Sequence, residues 1–354
     1  MIIFGVDLGS TSGKPSKSYI SVLDTETGEI QRTSCPTTAD ALLSQLGAFR
    51  PHRVVVEQTI GTGWFVDMCR GANVPEVQVV NPRDPAWRNR TSKTDRQDAD
   101  LLAHLSTTGQ VRTVHVPEDH IRQWRILIDY RHELVQRRTR IKNRIKSLLR
   151  NRGLPTGSLW NREGMASLRA MAKPMDACSV YDLWRGQLFT EYNQLKEMEE
   201  HLGSITECLD RLVEACVPAR DMANLPGIGP RTAEAVVATI DDPLRFPDRK
   251  KVGSYLGVVP RVRQSGAVAR YGGITKAGDA LVRTMLVQAV HSAIRRQQGW
   301  LYDLYLKTHR PDESCPNRAA LATVRRASVI LWAKFRDHRR ANPQQLLFPE
   351  RVAA

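Results

Sequence analysis

The sequence predicts an α/β front domain, a long helical middle and a basic, mostly α-helical back end. Three observations carry that prediction. Residues 1–112 alternate short apolar runs with segments of helical period, the pattern of a sheet covered by helices. Residues 113–222 contain two long helical patterns, each with apolar residues seven apart, which suggests a coiled coil. Positive charge is concentrated at the rear. Residues 1–105 carry 11 Lys/Arg against 12 Asp/Glu, residues 106–223 carry 19 against 15, and residues 224–354 carry 22 against 10, within a total of +15. A balanced front and a basic rear point to chemistry in front and polyanion binding behind.

No apolar run approaches the roughly 20 residues of a membrane span. Met1-Ile2-Ile3-Phe4 has no basic n-region, so no signal peptide is expected and the chain should act in the cytoplasm. The six cysteines form no C-x-x-C pair, which argues against a zinc site or a disulfide framework.

The front domain begins with the strand Ile2 to Asp7, an apolar run closed by a carboxylate. Lys17 to Leu23 and Ile30 to Cys35 complete a meander around the turn Thr25-Glu26-Thr27-Gly28-Glu29. Ala39 to Phe49 has helical period. Arg53 to Glu57 is a second apolar strand ending in a carboxylate, followed by a helix (Trp64 to Gly71), the strand Val77 to Val80 and the break Asn81-Pro82. A carboxylate at the end of an apolar run is costly to bury unless paired or bound to a metal, though either alone could simply cap a strand in solvent.

Lys93-Thr94-Asp95-Arg96-Gln97-Asp98-Ala99 is the densest candidate site. If Asp95 opens a helix, Asp95 and Asp98 share one face. Paired carboxylates can hold a hard divalent cation, and Lys93 and Arg96 suit an anionic substrate. An ordinary helix start would also place Asp there.

Gln123 to Arg152 is an arginine-rich helix with an expected seam at Leu127, Leu134, Ile141 and Leu148. Arg137, Arg138, Arg140, Lys142, Arg144 and Lys146 cover much of its remaining surface. No acidic residue follows Glu133 before residue 153, so these cations lack partners nearby in sequence and suit a nucleic-acid backbone. The second pattern runs through Leu195, Met198, Leu202, Ile205, Leu209, Leu212 and Cys216. The two helices should pack on each other or on a second subunit.

Ala223 to Ala235 reads as helix, glycine-rich hairpin and helix. This resembles a helix-hairpin-helix motif, in which Gly227 and Gly229 let backbone N–H groups approach a phosphate. Ser265 falls in an expected loop before Gly266, among Arg261, Arg263, Arg270 and Lys276, with Arg283 further on. Helices follow over Ala280 to Arg295 and Asn317 to Asp337, and the tail from Pro343 is expected to have little structure.

Gly5-Val6-Asp7, Val55-Val56-Glu57, Val80-Asn81-Pro82 and the Lys93 to Ala99 stretch stand in the order Asp, Glu, Asp, Asp. Together with Tyr255 to Pro260, Gln264-Ser265-Gly266, Arg270 to Gly278 and Leu281-Val282-Arg283, they make the chain resemble the DEDD transposases of bacterial insertion sequences. The front domain of that family is RNase H-like and similar to the RuvC junction resolvase. Gly9-Ser10-Thr11-Ser12-Gly13-Lys14 departs from the family's first motif, and Asp7-Leu8-Gly9-Ser10-Thr11 also resembles the first phosphate loop of actin-like sugar kinases. A kinase would leave the basic rear without a use.

The resemblance implies a catalytic front domain at 1–112, a helical assembly region at 113–222, a transposase domain at 223–342 and a tail at 343–354. It implies that Asp7, Glu57, Asp95 and Asp98 bind one or two Mg²⁺ ions, with Mn²⁺ as a substitute. It also implies that Ser265 forms a covalent phosphoserine with DNA. Implied partners are donor and target DNA, an element-encoded bridge RNA and further copies of the chain, as dimer or tetramer, in association with the bacterial nucleoid. Two alternatives remain at this point. One is a Holliday-junction endonuclease using metal-activated water. The other is a non-catalytic nucleic-acid-binding protein.

Overall fold

A computed structural model describes residues 1–10, 16–88, 94–109, 111–265, 268–309 and 316–348, with backbone alone at residues 263–265, 268, 269, 271 and 316. The residues of the kinase-like loop from Thr11 onward, Lys93 and Gly266 lie outside the described residues. The chain divides into two compact units, Met1–Arg122 and Gln123–Ala354.

The first unit is a five-stranded sheet. Its strands are β1 (Ile2–Asp7), β2 (Lys17–Asp24), β3 (Ile30–Pro36), β4 (Arg53–Glu57) and β5 (Glu76–Val80), in the spatial order β3-β2-β1-β4-β5. The first three form an antiparallel meander, while β4 and β5 run parallel to β1. Helices α1 (Ala39–Phe49), α2 (Thr62–Gly71), α3 (Pro85–Arg88) and α4 (Asp95–Thr108) complete the unit. The expected mixed sheet is present, with each expected strand in place.

Alternation along the strands sorts the side chains into two cores. Phe4, Val6, Ile20, Val22, Val54 and Val56 pack on one face with Leu42 and Leu46 of α1 and Phe65 and Val66 of α2. Ile3, Leu23 and Val55 pack on the other with Leu102 and Ala103 of α4. Glycine at position 5 permits the second core. A Cβ there would lie 2.0 Å from the Ala99 carbonyl oxygen and 2.6 Å from the Ala103 amide nitrogen. Helix α4 therefore rests directly on the backbone of β1.

In the second unit, α5 (Asp119–Arg150) extends the helix begun in the first. It is followed by α6 (Arg162–Met171), α7 (Leu183–Ala215), α8 (Val217–Ala223), α9 (Pro230–Ile240) and α10 (Arg249–Tyr255). A hairpin of β6 (Pro260–Ser265) and β7 (Val268–Ile274) precedes α11 (Ala280–Arg296), α12 (Trp300–Leu306) and α13 (Pro316–Ala341). The almost fully buried α9 is central, with every residue from Ala233 to Ile240 inside the core. No helix among the described residues is long and apolar enough to cross a membrane.

The long helices pack on each other, antiparallel. Arg131 reaches Thr206, Lys142 pairs with Glu199 at 3.0 Å and Arg144 with Glu191 at 3.4 Å. The expected heptad seam of α5 needs correction. Leu127 and Leu148 are half-buried, whereas Ile128, Ile145 and Leu149 are buried with Leu134 and Ile141. A straight helix drifts about 20° per heptad. The rear half of α5 also packs on Leu168 of α6, which widens the buried face beyond a two-helix seam. On α7, Leu195, Leu202 and Leu209 are buried as expected, as is Cys216 just past its end, with Met198, Ile205 and Leu212 half-buried.

The tail also differs from expectation. Phe348 packs edge-on against Trp124 of α5, with ring centroids 4.9 Å apart, and Arg339 donates to the Gln345 carbonyl. An apolar side chain in Leu346-Leu347-Phe348 outweighs the flexibility that Asn342-Pro343 suggests.

A charge cluster, fully buried only at Glu234, links α5, α7 and α9. Arg231 pairs with Asp210 at 2.5 Å and with Glu234 at 3.3 Å, and the Arg131 guanidinium lies near both acids. Burial raises the Glu234 carboxyl to about 8, against the pull of Arg231 and Arg131. In the unfolded chain this carboxyl ionises near its ordinary value of 4.5. Protonated Glu234 thus contributes stability that is full below that value and lost as pH rises through about 8. Glu234→Gln should match the wild type in urea melts at pH 4.5. By pH 9 it should be more stable by about 2–4 kcal/mol. A variant less stable than wild type at pH 9 contradicts the assignment.

Candidate active site

Asp7 and Glu57 each end a strand, and those strands are parallel neighbours in register from Ile3 opposite Arg53 to Val6 opposite Val56. One step further, Asp7 and Glu57 stand side by side, about 4.8 Å apart along the backbone. Both alternate with residues of the α1/α2 core, so both belong to the face that α4 covers. Both are half-buried.

Helix α4 runs antiparallel to these strands. Near its C-terminus, the Ser106 carbonyl and hydroxyl accept from Arg53 at the start of β4, both at 3.2 Å. Its N-terminus therefore lies at the end where β1 and β4 finish. Thr94 caps it, its hydroxyl accepting from the Gln97 amide at 3.3 Å. Asp95 and Asp98 occupy the first turn, where the helix dipole favours carboxylates. Asp98 is buried, while Asp95 and Arg96 are exposed. The topology thus brings all four acids to one end of one sheet.

The loops at this end are held firmly. Thr62 donates to the Glu57 carbonyl at 2.9 Å and accepts from the Thr59 amide at 2.7 Å, fixing the exit from β4. The Gln58 amide donates to the Val80 carbonyl. Asp84, a fifth carboxylate in this region, is buried but accepts from the amides of Ala86 and Arg112, a structural use.

Among the described residues no three acidic, histidine or cysteine side chains stand close enough to enclose a cation. Four carboxylates at one end of the sheet are an all-oxygen donor set, the kind a hard divalent ion takes.

The nucleic-acid contacts expected in the second unit divide. Arg138 and Arg140 on α5 form no ion pair with the described residues, and Arg140 is exposed. Lys142 and Arg144 do have partners, Glu199 and Glu191 on α7, far away in sequence, and Arg137 pairs with Glu133 at 3.6 Å. Lys142 and Lys146 also sit over the Trp160 ring, at 5.0 and 5.9 Å. The expectation of unpartnered cations is corrected for these residues. Arg283 is half-buried and spends one terminal nitrogen on the carbonyls of Leu256 and Gly278. Arg270 and Lys276 are exposed.

Gly227 and Gly229 are exposed between α8 and α9, and Gly227 adopts φ 86°, a left-handed conformation that favours glycine. Trp300 braces this turn by donating to the Pro226 carbonyl at 2.9 Å. Ser265 is not in a loop. It is the last residue of β6, paired with Val268, because Val262 and the residues from Val268 onward support a hairpin. The side chains of Ser265 and Arg263 lie outside the described residues. Sequence reasoning missed the exposed run Arg249-Lys250-Lys251, which opens α10 after its Asp248 cap.

Residues 4–152 match the family profile of the DEDD domain of IS110-type transposases, and residues 219–306 match the profile described as "Transposase IS116/IS110/IS902 family". The chain is 25% identical to the transposase for insertion sequence element IS1111A of Coxiella burnetii over 300 residues, covering 82% of this chain and 79% of that one. It is 27% identical over 267 residues to a Pseudomonas aeruginosa protein described as "Probable family 20 transposase", covering 73% and 76%. The transposase for insertion sequence element IS1328 of Yersinia enterocolitica is 21% identical over 297 residues, covering 82% and 86%.

Proposed function

The chain is an insertion-sequence transposase of the IS110/IS116/IS902 type, and from that premise we infer that it cuts DNA at the acidic end of its front sheet and rejoins it through Ser265. The observation that carries this reading is the gathering of Asp7, Glu57, Asp95 and Asp98, scattered over 92 positions (98 minus 7 plus 1), at one end and on one face of the sheet.

In this reading the front unit is RuvC-like, and its four acids would hold one or two Mg²⁺ ions, or Mn²⁺, which when bound would supply Lewis-acid stabilisation of charge at the phosphate. Arg96, exposed beside Asp95, offers a cation to the substrate backbone. Thr62 and the Thr94 cap keep Glu57 and the first turn of α4 in position.

Ser265 attacks phosphorus through Oγ. The O–P bond forms as the P–O bond to the leaving nucleoside breaks, and the serine proton is balanced by protonation of the leaving oxygen. The ester keeps the bond energy, so a DNA hydroxyl can later displace the serine without ATP. The helix-hairpin-helix turn at Gly227 and Gly229 would hold DNA phosphates. Arg138, Arg140 and the basic rear would hold a structured bridge RNA that selects donor and target. Two or four copies of the chain would assemble on these partners.

The test is adduct trapping. Protein purified with its own RNA and incubated with plasmid carrying the element's ends should give a denaturant-resistant protein–DNA adduct. Ser265→Ala should lose the adduct and retain DNA binding. Full cleavage by Ser265→Ala without an adduct would mean that water is the nucleophile.

A further inference from the structure

We propose that the cleft beside α4, over β2 and β3, is a phosphodiester subsite that carries the DNA strand leading away from the scissile phosphate. The proposal rests on the acidic end of the sheet being the reaction centre, and it names residues outside the acidic quartet.

The cleft measures about 430 Å³ and is lined chiefly by Tyr19, Arg32, Ser34, Arg96 and Asp100. Its floor is continuous with the acidic site. Asp7 pairs with Tyr19 across β1 and β2, and Tyr19 pairs with Ser34 across β2 and β3. Paired residues on neighbouring strands share a face, so Asp7, Tyr19 and Ser34 form one row running outward from the reaction centre. Steps of about 4.8 Å place Ser34 roughly 10 Å from Asp7. Arg32 stands two residues before Ser34 and therefore on the same face. Arg96 overlooks the row from the first turn of α4.

The chemistry of the lining suits a nucleic-acid strand. The Arg32 Nε donates to both Asp100 oxygens, at 2.9 and 3.2 Å. That grip holds the guanidinium while its terminal nitrogens stay available to a phosphate. Asp100 is covered, with its side chain 19% exposed against 57% for Arg32, so the cleft presents cations. An ion pair this exposed contributes little to stability, so its placement is not explained by the fold. The half-buried Tyr19 offers a ring on which an unpaired base can stack, a contact indifferent to sequence.

The experiment uses the full-length chain with a photoactivatable aryl azide on Ser34→Cys. The probe is a 30-nucleotide single-stranded DNA pool in EDTA, where no cutting occurs. Gln31→Cys, on the opposite face of the same strand, is the control. The expected result is at least about fivefold more cross-linking from position 34 than from 31. It should fall at least about fivefold with Arg32→Gln and Arg96→Gln together, and recover with Lys at both positions. The Gln pair should also flatten the salt dependence of binding by about 1.4 in log–log slope. Equal cross-linking from both faces, or cross-linking indifferent to the Gln pair, overturns the proposal. Failure of the reaction-centre reading shows separately, as cleavage that survives Asp7→Asn.

Discussion

Asp7→Asn should abolish DNA cleavage while changing the stability of the fold by no more than about 1 kcal/mol. The two effects have different origins. Cleavage should fall at least about 10³-fold, equivalent to roughly 4 kcal/mol of lost transition-state stabilisation, because on the proposed reading one of the four carboxylates that would hold the divalent ion is replaced by a neutral amide. Stability should not follow. Asp7 and Glu57 are half-buried acids at the ends of neighbouring parallel strands, so the change in stability should stay within about 1 kcal/mol, well short of the loss in cleavage. Single-turnover cleavage read beside urea melts separates the two. A variant that unfolds early and loses activity in proportion would assign Asp7 to the fold, not to the reaction.

Gly5→Ala should do the opposite and damage both. Its added methyl cannot coexist with the Ala99 carbonyl at 2.0 Å or the Ala103 amide at 2.6 Å. Both are backbone atoms of α4, so no side-chain rotation relieves the clash. The helix has to move by about an ångström or more, at a cost on the order of 3 kcal/mol. The same shift carries Asp95 and Asp98 away from Asp7 and Glu57, and a 1 Å misplacement can cost about 100-fold in rate. The expected outcome is a lower urea midpoint together with lost cleavage. Gly47→Ala, in α1 where nothing lies within 4 Å of the added methyl, is the control, expected to stabilise by about 0.5–1 kcal/mol. If Gly5→Ala melts like wild type, α4 is not seated on β1 as described.

The sheet was legible in the sequence because β1, β4 and β5 are short apolar runs rich in Val and Ile, and β2 and β3 flank a turn-forming stretch. The observed strands begin and end within a residue of expectation in Ile2–Asp7, Lys17–Asp24, Ile30–Pro36 and Arg53–Glu57. The acidic residues were legible as types and order. What placed them on one face was the register of β1 against β4 and the antiparallel lie of α4, which rest on pairings that sequence spacing does not encode. The row Asp7–Tyr19–Ser34 escaped notice for the same reason.

The partners of Lys142 and Arg144 were invisible because Glu199 and Glu191 lie in another helix about 50 residues away. The seam of α5 slipped by one residue because a heptad rule assumes a single partner, and α6 supplies a second. Ser265 was expected in a loop because of Gly266. The pairing of Pro260–Ser265 with Val268–Ile274 extends the hairpin to that serine instead.

The central claim of the proposed function is that Asp7, Glu57, Asp95 and Asp98, gathered at one end of the sheet, take up a common cation position when DNA is bound. Iron-directed cleavage of the polypeptide tests it most directly. Fe²⁺ replaces the divalent ion in the DNA-bound protein, and ascorbate with peroxide generates radicals that cut the nearest backbone. The expected result is three cuts and their loss on adding excess Mg²⁺ or on Asp7→Asn: after β1 near Asp7, after β4 near Glu57, and at the start of α4 near Asp95. Cuts confined to other segments, or cuts at these three that persist in Asp7→Asn, would contradict it.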